Sequence, residues 1–71
     1  MKWTIAMAKG RIKHLPTGQL DRLYRRIWKW IKKESGPGAW DFPTMYGIWP
    51  CLACHLMAIN ELMVERKESS P

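Results

Sequence analysis

The chain has 71 residues, enough for one domain, and 46% of them are hydrophobic, with five Trp and five Met. That excludes intrinsic disorder, which combines low hydrophobicity with high charge. Twelve Lys and Arg face six Asp and Glu, a net charge of +6, which favours an anionic partner: nucleic acid, an acidic protein or anionic lipid.

Two Pro/Gly breaks divide the chain into three, without internal repeats or low-complexity segments. In the first segment, MKWTIAMAKGRIKHLPTG, Ile5, Ala8, Ile12 and Leu15 follow a helical spacing, while Trp3, Ile5 and Met7 follow a strand spacing. A short helix is the preferred expectation, with Gly10 weakening it and Pro16 ending it. The second segment, TGQLDRLYRRIWKWIKKESGPG, predicts a helix over 18–35. Thr17 is the expected N-cap. Gly36-Pro37-Gly38 is the stop, with Lys32 and Lys33 in the last turn, where they complement the helix dipole. At about 100° per residue, Leu20, Leu23, Tyr24, Ile27, Trp28, Trp30 and Ile31 fill one arc of roughly 160°. Arg22, Arg25, Arg26, Lys29, Lys32 and Lys33 fall on the other arc without an anion among them, and Asp21 and Glu34 lie near the two ends of the helix.

Trp40, Phe42, Tyr46 and Trp49 follow in a stretch broken by Pro37, Pro43, Gly47 and Pro50. Flexible linkers lack aromatics, so this stretch predicts an ordered aromatic loop covering the apolar faces of the helices, with room for a helical turn after Pro43. A last helix is predicted over 50–67, with Pro50 at its first position. Leu52, Leu56, Ile59 and Met63 share one face. The other face is also apolar at first, through Ala53, Cys54, Met57 and Ala58, as in a buried helix. Glu61, Glu65, Arg66 and Lys67 return the chain to water, and 68–71 fray. The expected fold is therefore a small all-α single domain with two main helices, a short N-terminal helix and an aromatic loop.

The last helix opens on WPCLACHLM, in which Cys51, Cys54 and His55 spell C-x-x-C-H. CLACH resembles the haem-attachment motif of c-type cytochromes, which implies two thioether bonds and an axial His. Met57 stands two residues after His55 and cannot reach the opposite face of a haem, so haem is set aside. WPCLAC resembles in outline the active-site turn of thioredoxins, which implies a reactive thiol at a helix start; the βαβ pattern of that fold is missing here. Zinc needs four ligands. Cys51 and Cys54 form a half-site, His55 lies one turn beyond Cys51, and His14 is the only other histidine. A zinc site from these four, or one shared in a dimer, is the cofactor alternative retained. The preferred expectation is no cofactor, with Cys51 and Cys54 as small apolar residues of a buried helix.

No nucleophile–base–acid set and no Gly-rich phosphate loop is present, so a non-enzymatic binding protein is expected. Ordinary surface helices mix charge signs at four-residue spacing, whereas six cations share one arc here. The first expectation is contact with nucleic acid or a nucleoprotein complex through Arg22, Arg25, Arg26, Lys29, Lys32 and Lys33. The alternative is an amphipathic adaptor that docks on an acidic protein or an anionic membrane surface, with Trp28, Trp30, Trp40 and Trp49 as partner-binding residues. Only six residues separate Lys2 from Lys9, too few for a signal-peptide core. The longest uncharged run, Phe42 to Asn60, holds two prolines and a histidine and does not suit a membrane span. A cytoplasmic or nuclear protein is therefore expected. Small size, basicity and the density of Trp and Met match the composition of viral or phage accessory proteins.

Overall fold

A computed structural model, describing residues 2–36, 38 and 41–69, shows a helical chain. Its helices, in order, are α1 (Ile5–Ile12), α2 (Thr17–Ser35), α3 (Phe42–Ile48) and α4 (Pro50–Ser69). No strand occurs among the described residues, so the fold is all-α, as the sequence predicts.

The helical spacing prevails over the strand spacing in the first segment. Thr4 holds an extended backbone and its hydroxyl accepts the Met7 amide at 3.1 Å, capping α1. The helix stops at Ile12, short of Pro16. The Lys13 amide still reaches the Lys9 carbonyl, and Leu15 closes a turn onto Ile12. Ala8 and Ile12 are buried, while Ala6, Met7 and Gly10 face outward.

Thr17 is not the N-cap of α2. Pro16 takes that place, in extended conformation, and its carbonyl accepts the amides of Gln19 (3.0 Å) and Leu20 (3.1 Å). Thr17 is the first helical residue, and its hydroxyl accepts from Arg66 of α4 instead. At the other end Gly36 has φ +75°, a conformation other residues resist, and its amide closes on the Lys32 carbonyl at 2.9 Å. The predicted stop therefore holds.

The aromatic stretch is corrected in part: the helical turn allowed after Pro43 is present, but it is a helix that starts at Phe42 and takes up much of the predicted loop. Asp41 accepts the Thr44 amide at 2.9 Å, and Pro43 sits in the first turn, where no amide is needed. Together they overcome Gly47 and start α3. Hydrogen bonding from the Thr44 side chain, and then from its amide, also holds the Asp41 carboxyl below its ordinary value. The predicted covering role holds in part. Met45 is buried, Phe42 and Tyr46 pack on the core and on each other, and the Tyr46 hydroxyl donates to the Trp3 carbonyl at 2.6 Å. That last bond ties α3 to the entrance of α1. Trp40 lies outside the described residues.

Helix α4 is the element on which α1, α2 and α3 each pack. This explains why it is apolar on more than one face. Ala53, Cys54, Leu56, Ala58, Ile59 and Leu62 are all buried, against Ala8 and Ile12 of α1, Leu20, Ile27 and Ile31 of α2, and Met45 of α3. The helix begins at Pro50 as predicted and runs to Ser69, two residues past the predicted Lys67. Among the described residues no polar or charged side chain is buried, and no helix is long and apolar enough to cross a membrane. The result is a slab of about 39 × 27 × 16 Å.

Candidate functional site

The period of α2 fixes the site. Its buried residues Leu20, Ile27 and Ile31 point at α4. By the same 100° step, the cations centre about 180° away. Arg22, Arg25, Arg26, Lys29, Lys32 and Lys33 are all exposed. From Arg22 to Lys33 they span about 16 Å of helix axis, at about 1.5 Å per residue. The structure brings one anion to this face. Asp21, one turn before Arg25, accepts from its Nε at 3.1 Å, and both side chains stay largely in water. No carboxylate lies within ion-pair distance of the other five cations among the described residues.

The tryptophans flank this face unequally. Trp28 is half-buried against the core and meets Tyr24 edge-on, with ring centres 6.4 Å apart. Trp30, on the other edge of the apolar arc, is 42% exposed. Trp49, between α3 and α4, meets it edge-to-face at 5.6 Å and 80°. On the same edge as Trp30, nearer the start of α2, a groove of about 400 Å³ is lined by Gln19, Arg22, Leu23 and Arg26. Sequence reasoning placed the two arginines but assigned nothing to Gln19. It left Leu23 wholly in the core set, although the arc boundary running between Arg26 and Leu23 was visible.

The C-x-x-C-H stretch forms the first turn and a half of α4. Cys54 is fully buried, and burial, together with the neighbouring Cys51, pushes its thiol above the ordinary value. Cys51 is half-buried. The His55 Nδ1 lies 2.7 Å from the Cys51 carbonyl and 3.6 Å from its sulfur. A carbonyl only accepts, so Nδ1 carries the hydrogen in this contact. The His55 ring meets the Trp3 ring at a tilt, with centres 5.5 Å apart, and the Arg11 guanidinium lies over the same indole at 5.3 Å. His14 lies exposed in the turn after α1. Among the described residues no three His, Cys, Asp or Glu side chains converge on a point that could hold a metal. The four-ligand set of Cys51, Cys54, His55 and His14 is therefore not assembled within one chain.

Arg66 is the residue whose role the sequence hid. Rather than simply returning α4 to water, it donates to the Thr17 hydroxyl (3.0 Å) and to the carbonyls of Lys13 (3.0 Å) and Leu15 (2.6 Å), clamping the α1–α2 turn. Beside it, Lys9 of α1 pairs with Glu65, and this hydrogen bond holds the Lys9 ammonium above its ordinary value. The basic residues of α1 and α4 named here are thus engaged inside the fold, unlike most of those on α2. Comparison with protein-family models, curated proteins and solved structures finds no match for this chain.

Proposed function

We propose that this chain is a small, basic, non-enzymatic binding protein that contacts nucleic acid, alone or within a nucleoprotein complex, through the cationic face of α2. One observation carries this reading: six exposed cations lie opposite the buried face of a single helix, and among the described residues only Arg25 is within ion-pair distance of a carboxylate. Like charges on one helix face repel, and a polyanion relieves that repulsion. Over about 16 Å of axis, one strand of a duplex presents about five phosphates, which matches the length of the cation row. Docking of the α2 apolar arc on lipid or in a protein groove finds less support. Leu20, Ile27 and Ile31 already lie in the core, and exposing them would open the fold.

Binding of labelled DNA and RNA at two salt concentrations tests the proposal. With about six phosphate contacts, affinity falls about 10³-fold between 50 and 200 mM salt. Arg25→Glu with Arg26→Glu removes two contacts and flattens the logarithmic salt slope by about two. Affinity that is unchanged in this double variant overturns the reading.

A further inference from the structure

Trp30 is out of place in an ordinary core helix. It stands at the border of the apolar and cationic arcs and keeps 42% of its surface in water. Arg26 precedes it by four residues and Lys33 follows it by three, the spacings at which helical side chains are neighbours. Its ring is held from another part of the chain, edge-to-face with Trp49 at 5.6 Å. An indole anchored in this way keeps its orientation and offers a flat face at little further entropic cost. Towards the start of α2, the same edge carries the groove lined by Gln19, Arg22, Leu23 and Arg26. Cations, a polar–apolar groove and a fixed aromatic plate thus follow one another along a single edge.

A duplex presents phosphates but hides the faces of its bases. A single strand presents both, and binders of single strands combine a positive track with aromatic platforms. Resting on the nucleic-acid reading of α2, we propose that the ligand is single-stranded nucleic acid. Its phosphates run along Arg22, Arg26 and Lys33, and one base stacks on Trp30, which Trp49 holds in place. Every base has a π-face, so the site tolerates many sequences.

The test uses the full chain, with fluorescence anisotropy of a labelled oligo-dT of about 16 nucleotides, the upper range for a small single-strand site, and of a duplex with the same number of phosphates. The strand is expected to bind more tightly than the duplex. Trp30→Ala is expected to weaken strand binding about tenfold and leave duplex binding unchanged, which also serves as the control for folding. Trp30→Phe, which keeps an aromatic face, restores part of the loss. Arg26→Glu weakens both ligands. Equal affinity of wild-type protein for strand and duplex, with Trp30→Ala without effect, overturns the stacking site and leaves the cationic face standing. If neither ligand binds at low salt, the cationic reading fails and the stacking site with it. Binding to anionic phosphatidylserine vesicles that depends on Trp30, without strand binding, overturns the inference in favour of a lipid surface.

Discussion

Arg66 sits near the end of α4, and its guanidinium reaches three oxygens across 49 to 53 residues of sequence. The planar fork is suited to this, because it directs several N–H groups at once from a rigid plane. Nothing local in ELMVERKESS distinguishes Arg66 from a solvated charge, so the clamp could not be read from spacing. The same contact explains the shifted start of α2: Thr17 is more useful as an acceptor for Arg66 than as a cap, and Pro16 supplies the extended residue before the helix. Arg66→Met keeps the aliphatic stem and removes the donors. It is expected to cost about 1–2 kcal/mol, the scale for charged hydrogen bonds tempered by partial exposure. A fall in the urea midpoint with an unchanged slope would show this. Arg66→Lys should recover less than half, since a single ammonium cannot bridge all three acceptors. Full recovery by Lys would mean that charge alone matters there.

At the scale of elements, α2 and α4 were legible because each carries a long periodic pattern bounded by Pro or Gly. The pattern on α2 separates charge from core so fully that its register follows directly, and all six cations stand where it places them. α3 was less legible. Its seven residues are too few for a period to emerge, and Pro43 and Gly47 read as loop punctuation. The overlooked signal was Asp41 with Pro43 two residues on, a helix-start pairing. α1 was ambiguous between two periods, and packing on α4 decides it. That packing is close because the facing residues are small: Ala8 of α1 and Ala53 and Ala58 of α4 are all fully buried. Ala8→Leu therefore has no space to enter. Overpacking of this kind costs about 1–3 kcal/mol, and here it also pushes Lys9 away from Glu65. Ala6→Leu, two residues earlier and exposed, should stay within about 0.5 kcal/mol of wild type. Urea midpoints of the two variants measured side by side check this. Equal effects would mean that α1 does not pack on α4 through Ala8.

Across the whole molecule, charge is distributed unevenly. Three of the six acids, Glu61, Glu65 and Glu68, lie on α4, while α2 holds six of the twelve cations and two acids. A protein selected only to fold would spread these charges. Lys29 is the most informative position, because Arg25, Arg26, Lys32 and Lys33 are its neighbours three and four residues away on both sides. Lys29→Glu turns four repulsions into four attractions. At about 0.2–0.5 kcal/mol per pair, the free protein should gain about 1 kcal/mol or more at low salt. Screening shortens from about 10 Å at 0.1 M to about 3 Å at 1 M salt, so the gain should shrink as salt is added, while wild type itself becomes more stable. The same variant should bind DNA and RNA more weakly, because a phosphate contact is replaced by a repulsion. Thermal unfolding at low and high salt, set beside the binding assay, measures both effects. Stability and affinity moving in opposite directions is what a helix face arranged for an anionic partner requires. If Lys29→Glu instead lowers stability at low salt, the six cations do not repel one another in the free protein, and their clustering no longer calls for a partner.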